Sequence, residues 1–443
     1  MTYRDSFSNR FGIIAAAAGS AIGLGNIWRF PWLCGQNGGG AFVLVYLLCV
    51  IFIGLPIMLA EFGIGRSAQS NAYRAFRILS PKKPWYMIGV LGIIASFTIM
   101  SFYSAVGGWT IEYIVRSTTN TLSGNHAERF NSFISQSYMP LFYQFTFLAI
   151  SFGIVMMGIR KGIEKSSKIL MPLLLILLII LCIRSVTLPG ATEGLKFLLK
   201  PDFSKLTGNS ILLAMGQAFF SLSIGMGCMI TYGSYVKRNE DLTYSAGMIV
   251  GADVLIAILA GIAIFPAAAA FNIAPGAGPG LIFITLPGMF EQMTAGMIFS
   301  TIFFLLLCIA ALTSAISLIE VVVTFCVEEM KIRRIMATAL VATCIFLLGA
   351  LCSLSLGILP GMNFGGVSFF DLMDFISSNL FLPIGGFFIT IYVGWALKKR
   401  ITVKELTSDG SIKFTGLRIF YFLMRYIVPV AILMVFISGV LRN

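Results

Sequence analysis

Eleven stretches of mostly apolar residues run along the chain, separated by short polar segments, and the pattern predicts eleven helices of about 20 residues or more. They lie near residues 11 to 35, 40 to 65, 87 to 116, 139 to 159, 165 to 187, 210 to 235, 244 to 271, 295 to 328, 335 to 356, 371 to 397 and 417 to 440. Each is long enough to cross the roughly 30 Å hydrocarbon core of a bilayer. In two of them the pattern is interrupted. The first contains GSAIGLGNIWRFP (19–31), and the sixth contains SLSIGMGCM (221–229). Both place small polar residues and paired glycines in the middle of an apolar run. Glycine also lets neighbouring membrane helices approach closely, which would account for one isolated pair. Two such breaks five helices apart point instead to a transporter built from two copies of a five-helix unit, with its binding site at the breaks. An odd helix count per copy inverts the second. Unpaired backbone in hydrocarbon costs several kcal/mol per group, so unwound segments must line protein or a water-filled cavity.

Composition narrows the class. Of 443 residues, 58% are hydrophobic and 11% charged, which excludes an ordinary soluble domain. No linker separates domains, so a single transmembrane domain over 1–443 is expected, with repeat one at about 8–187, repeat two at about 210–397 and an extra helix at about 417–440. The formal charge of +13 could suggest nucleic acid, but the basic residues alternate between loops, 22 on one side and seven on the other. The positive-inside rule then places the N-terminus in the cytoplasm and the C-terminus outside, with no nucleic-acid partner. Arg4 and Arg10 precede the first run without a small-residue cleavage site, so that span is expected to be retained. The eight cysteines show no metal-ligand spacing and are expected to be reduced packing residues. The single histidine, His126, is expected to be a solvated loop residue, and neither a His-based hydrolase nor a zinc site can be built from it. No phosphate-binding loop implies ATP.

Three polar features remain. Asp253 lies deep in GMIVGADVLIAILAG, where a carboxylate costs about 2.5 to 3.5 kcal/mol. The span centres offer few basic partners beyond Arg29 and Arg425, so a bound cation is the expected one. Thr313 and Ser314 in AALTSAIS either bond back to their own helix or add hydroxyl ligands. Arg29 and Asp374 are placed to form an outer salt bridge, and Arg4 with the Glu328–Glu329 pair an inner one.

At these residues the chain resembles the neurotransmitter:sodium symporter family and is similar to its bacterial amino-acid members. The resemblance is carried by GSAIGLGNIWRFP, by GLPIMLAEFGIGR in the second span, by GQAFFSLSIGMGCMITYGSY in the sixth and by ALTSAIS in the eighth, in order and spacing. It implies an all-α polytopic fold of two inverted five-helix repeats with unwound helices 1 and 6, in a bacterial inner membrane. The implied activity is inward sodium flow coupled to amino-acid uptake by alternating access, rather than an enzymatic one. Carried over by motif, a first sodium site uses Ala21, Asn26, Ser221 and Asp253, and a second uses Gly19, Ile22, Ala310, Thr313 and Ser314. The substrate's carboxylate meets Leu24, Gly25 and Tyr103, its ammonium faces Ala21, Phe220 and Ser221, and its side chain enters a pocket of Gly23, Ile99, Ser223, Met226, Ser314 and Leu318. Phe220 is the lid, Gln217 lies near the Arg29–Asp374 gate, and loop 272–294 resembles the family's outer lid.

The departures shape further expectations. Asp253 stands where many relatives have Asn, and a fixed carboxylate beside the sodium can replace chloride, so no chloride requirement is expected. Met226 replaces a bulky aromatic, which suggests a roomy pocket for a hydrophobic or aromatic L-amino acid. Phe7 takes the place of a usual inner-gate tryptophan, and Glu328 that of an Asp. Gly162 and Pro172 match a pattern that lets span five unwind and admit water to the second sodium site. The twelfth helix of many relatives is missing, which bears on a monomer or weak homodimer. A different small amino-acid substrate, or a sodium-dependent sensor or channel, is the competing reading.

Overall fold

A computed structural model describes residues 5–273, 280–359, 366–412 and 414–441. The chain is helical throughout, without strands among the described residues. The membrane-type helices are α1 (Arg10–Ala21), α2 (Gly25–Gln36), α3 (Gly40–Ala68), α4 (Tyr86–Thr118), α5 (Met139–Met156), α6 (Ile159–Val186), α7 (Gly208–Ser221), α8 (Cys228–Gly233), α9 (Leu242–Ala270), α10 (Gly296–Glu329), α11 (Arg334–Ser355), α12 (Phe369–Ala396) and α13 (Leu417–Val440). Among the described residues nine are long and apolar enough to cross a membrane unaided, and α1 with α2, bent by 53°, makes a tenth. The predicted sixth span is divided between α7 and α8 by six residues, so the expected count of eleven rests on reading that pair as one interrupted helix.

Most boundaries fall within three residues of the apolar runs. The fifth begins six residues earlier than predicted, because Arg160, Lys161 and Glu164 extend α6 as a wide turn entered from Gly158 at φ +82°. From there α6 continues through Pro172 to Val186, so the expected unwinding between Gly162 and Pro172 is absent in this conformation. Short helices at Ala72–Leu79, His126–Ile134, Ala191–Leu199, Leu281–Glu291 and Lys399–Leu406 lie in the connections.

The breaks have local causes. Asn9 caps α1 by accepting from the Gly12 N–H at 2.9 Å. Ile22 turns extended (φ −78°, ψ 100°), ending α1, and α2 starts with a wide turn closed from Phe30 N–H to the Gly25 carbonyl. After α7 the chain takes left-handed backbone at Ser223 (φ +51°), Gly225 (φ +84°) and Gly227 (φ +78°). Two of the three are glycines, which adopt this region freely. A Cβ on Gly225 would stand 2.6 Å from the Leu382 carbonyl of α12.

The layering follows burial. In α10, 83% of the most apolar window is buried, against 33% in α6 and α11. A helix apolar on every face is what a central position requires, and α10 packs along α4, beside α1. The outer segment is anchored through Phe283, whose ring lies 5.0 Å from Tyr113 and 5.3 Å from Phe130, while the Tyr113 hydroxyl donates to the Phe283 carbonyl at 2.9 Å. The loop predicted over 272–294 is thus partly helical, and residues 274–279 lie outside the described residues. The eight cysteines are free thiols. His126 is not merely solvated: its Nε2 lies 2.9 Å from Glu291, and its side chain is only 12% exposed.

Candidate functional site

The two breaks meet. The Ser223 hydroxyl, held inward by its left-handed backbone, donates to the Ser20 carbonyl at 2.7 Å, and Gln217 Nε2 donates to the Gly25 carbonyl at 2.9 Å. The Ser20 carbonyl, released by the break in α1–α2, is therefore answered from the segment after α7, and Gly25 at the start of α2 is tied to α7 itself. Gln217 is fully buried and ties α7 to α2 rather than lining the vestibule described below.

Beside this junction Asp253 is fully buried and surrounded by hydroxyl and amide groups. Asn26 Nδ2 reaches its Oδ1 at 2.7 Å, the Ser221 hydroxyl reaches Oδ2 at 2.6 Å, and the Tyr46 hydroxyl reaches Oδ2 at 3.1 Å. The Asn26 Oδ1 accepts from the Gly23 N–H at 3.2 Å, linking the cluster to the break. Among the described residues no Lys or Arg pairs with Asp253. A buried carboxylate without a basic partner is strongly disfavoured unless a cation or several donors compensate. Three of the four expected first-site residues, Asn26, Ser221 and Asp253, are thus in contact, while Ala21 lines the cavity beside them. Tyr46 was missed, although it is the one phenol in the apolar run AFVLVYLLCV.

The second expected set also converges. Ser314 Oγ lies 3.1 Å from the Ser20 carbonyl, 3.4 Å from that of Gly19 and 3.5 Å from that of Ile22. One hydroxyl carries one proton, so it cannot satisfy all three carbonyls. Thr313 Oγ1 lies 3.1 Å from the carbonyls of both Ile309 and Ala310, back along its own helix, and Gly19 packs against Thr313, where an added Cβ would sit at 3.2 Å. The carbonyl oxygens of the break that face the Ser314 hydroxyl form the oxygen-rich environment a hard cation prefers, while the Thr313 hydroxyl is turned back on its own helix.

Between these clusters lies a small cavity of about 30 Å³, lined by Ala21, Gly23, Leu24, Gly25, Ile99, Tyr103, Phe220, Ser223, Met226, Ser314 and Leu318, with Ser20 in addition. The Leu24 N–H donates to the Tyr103 hydroxyl at 3.4 Å. The expected roominess is not present in this conformation. Met226, 4% exposed, is the flexible side chain in the lining, and a larger occupant requires the lining to move.

Phe220 forms a common wall between this cavity and a vestibule of about 320 Å³, lined by Trp28, Arg29, Trp32, Phe102, Phe370, Asp371 and Asp374 among others. The expected Arg29–Asp374 salt bridge is not made. The Arg29 guanidinium lies over the Phe220 ring, 4.8 Å from its centroid, and Asp374 Oδ1 accepts from Ser378 at 2.9 Å. With the vestibule between them, each group has a nearer partner than the other, and a water-exposed ion pair contributes too little to draw them together.

The opposite face is closed. Phe7, 1% exposed, packs edge-on against Tyr232 and Tyr235 at 5.9 and 6.1 Å. Tyr235 donates to Glu320 at 2.8 Å, and Glu320 pairs with Arg334. Ser8 donates through its backbone to Glu164 at 2.9 Å. Of the expected inner gate, Arg4 lies outside the described residues. Glu328 accepts from the Ser70 hydroxyl at 3.0 Å and from the backbone and side chain of Asn71 at 3.0 and 2.9 Å, which fastens the loop after α3. A second residue escaped the sequence reading. Glu61, fully buried in α3, accepts from the Gly225 N–H at 2.7 Å and so holds the second break in place. It is the one acidic residue in GLPIMLAEFGIGR.

Membrane-type helices broken part-way along, with a cavity lined by both breaks and a vestibule opening on one side, define a membrane transporter rather than an enzyme. The comparisons agree. The model of the sodium:neurotransmitter symporter family matches residues 4–140 and 138–443. A sodium-dependent transporter of Bacillus subtilis (strain 168), YhdH, is 40% identical over 438 residues, covering 98% of this chain and 97% of the relative. The sodium-dependent serotonin transporter of Drosophila melanogaster is 29% identical over 432 residues, covering 85% of this chain and 67% of that protein. The crystal structure of MhsT in complex with L-phenylalanine superposes with a TM-score of 0.90 at 44% identity, covering 99% of this chain and all of that one. The chain belongs to the sodium:neurotransmitter symporter family, and it is a multi-pass, sodium-dependent membrane transporter.

Proposed function

We propose that this transporter imports a hydrophobic or aromatic L-amino acid together with sodium, by alternating access and without a chloride requirement. The observation that carries the reading is the fully buried Asp253 carboxylate, compensated by Asn26, Ser221 and Tyr46 but by no basic side chain among the described residues, beside a cavity lined by both helix breaks. A fixed negative charge there supplies what a bound anion would otherwise provide. The first sodium is read at Ala21, Asn26, Ser221 and Asp253, and the second at Gly19, Ile22, Ala310, Thr313 and Ser314. The amino acid occupies the cavity under Phe220, with Leu24, Gly25 and Tyr103 at its carboxylate and Met226 displaced by its side chain. MhsT, similar over nearly the whole chain, was crystallised with L-phenylalanine, which supports a large apolar substrate. The open vestibule and closed opposite face fit a cycle in which Arg29 and Asp374 approach as Phe220 covers the substrate.

Repeat one is taken as about 8–187, repeat two as about 210–397 and α13 as an addition outside both. The orientation follows the basic loops, N-terminus in the cytoplasm and C-terminus outside, in the inner membrane of a bacterium, as a monomer or weak homodimer. Each charge moved across 100 mV contributes about 2.3 kcal/mol, so two sodium ions suffice for concentrative uptake. The test is uptake of each of the twenty amino acids into proteoliposomes, with an inward sodium gradient in chloride or gluconate medium. Sodium-driven accumulation in which Trp, Tyr, Phe and Leu outcompete Gly and Ala, equal in both media, is the expected result. Preference for Gly or Ala, or a sharp loss in gluconate, overturns the substrate or the chloride assignment respectively, and saturable binding without accumulation replaces the symporter by a sensor.

A further inference from the structure

The loop joining α3 to α4 carries an unassigned cavity. Between Glu61 and Glu112 the chain has no acidic residue but holds Arg66, Arg74, Arg77, Lys82 and Lys83. Two of the five are matched by carboxylates: Arg66 lies 2.6 Å from Glu405, and Arg74 2.8 Å from Glu329. The other three line one polar cavity of about 610 Å³, together with Tyr73, Ser80 and Tyr86 and with no acid in its wall. Arg77 Nη1 is held by the Tyr73 hydroxyl at 3.0 Å, and its guanidinium lies 5.6 Å from that ring's centroid. Neither the Lys82 nor the Lys83 ammonium has a partner among the described residues, and Lys82 sits in left-handed backbone at φ +66°. The Ser80 hydroxyl, 3.0 Å from that of Tyr392, fastens the loop to α12.

What borders the cavity indicates its ligand. Tyr86 and Met87, 37% and 62% exposed, stand at the start of α4, a helix long and apolar enough to cross a membrane, and Ile78, 51% exposed, lies in the short helix Ala72–Leu79 just before it. Three cations around a polar hollow, rimmed by apolar side chains at the membrane boundary, match an anionic phosphate attached to acyl chains. A basic pocket of this kind binds lipid head groups, and a guanidinium is suited to phosphate geometry. We propose that Arg77, Lys82 and Lys83 form a binding site for the phosphate head group of an anionic phospholipid, with its acyl chains lying against Ile78 and Met87. A lipid there bridges the α3–α4 loop and, through Ser80 and Tyr392, α12.

The test uses the full chain in nanodiscs of equimolar phosphatidylglycerol and phosphatidylcholine, extracted into mild detergent, with retained lipids counted by native mass spectrometry. Phosphatidylglycerol should be retained on the unsubstituted protein and lost from R77Q/K82Q/K83Q. At about fivefold in affinity for each neutralised charge near the surface, the loss for three is on the order of a hundredfold. A control, K398Q/K399Q/R400Q, should keep it. Inorganic phosphate at 10 mM distinguishes the two sources of the group: displacement of the lipid by phosphate alone, or equal retention of phosphatidylcholine, overturns the lipid assignment. Equal loss from the control reduces the effect to general surface charge and also overturns it. Should the triple variant elute aggregated, the single variants K82Q and K83Q are each expected to weaken retention about fivefold, and no change in either refutes the site.

Discussion

Replacing Asp253 by Asn removes one charge from the proposed first sodium site while leaving its shape. The side chain keeps its volume, and its oxygen can still accept from Asn26 Nδ2, which lies 2.7 Å from Oδ1. The new amide NH₂ then faces Ser221 Oγ and the Tyr46 hydroxyl, at 2.6 and 3.1 Å from Oδ2, and both hydroxyls can turn to accept. The fold is therefore expected to survive. The electrostatic loss is larger. A unit charge about 4 Å from a cation contributes about 4 kcal/mol at an effective dielectric constant near 20, and an amide oxygen retains part of this as a dipole. A net loss of about 2 to 3 kcal/mol corresponds to a roughly 30- to 150-fold weaker sodium dependence. If the carboxylate stands in for an anion, chloride should restore part of the loss in D253N and leave the unsubstituted protein unaffected. Binding of a labelled hydrophobic amino acid, titrated with sodium in chloride and in gluconate, measures both. A sodium midpoint within twofold of the original, combined with no response to chloride, would refute the placement of a cation at Asp253.

Gly23→Ala should abolish substrate binding without altering the elution volume of the protein, because its Cβ would lie 2.5 Å from Ser314 Oγ and 3.1 Å from the Tyr103 hydroxyl in a cavity of about 30 Å³; retained binding in an equilibrium assay contradicts the cavity's role. Ser314→Ala removes the hydroxyl that faces the carbonyls of Gly19, Ser20 and Ile22, and sodium affinity measured by binding should fall about tenfold, as for a charge-assisted contact of roughly 1.5 kcal/mol. Unlike D253N, this variant should show no chloride rescue. Pro172→Ala should slow sodium release in stopped-flow measurements, since α6 is continuous through Pro172 here and must open if it is to admit water; an unchanged rate removes Pro172 from that role.

The two helix breaks were legible from residue pattern alone, because a membrane helix has no water to satisfy an open backbone and only a few residue types tolerate the interruption. So were most helix boundaries, which follow hydrocarbon thickness, and the expectation that Asp253 would lack a basic partner, which holds among the described residues. Other features depended on which helix faces which. Tyr46 is 207 residues from Asp253 and Glu61 164 residues from Gly225, and no local period marks a phenol or carboxylate as reaching another helix. The Arg29–Asp374 pairing failed for a related reason: the sequence contains both charges, but the vestibule's opening determines whether they meet, and Phe220 was the nearer surface. The small volume of the cavity that Met226 lines is likewise a property of conformation, since a flexible thioether can take more than one position. By itself the sequence determined the extent of most apolar segments and where their backbone must be left open, because those depend on local chemistry in a fixed solvent. Only the tertiary structure decided which side chains answer the open backbone, because that depends on distances between helices far apart along the chain.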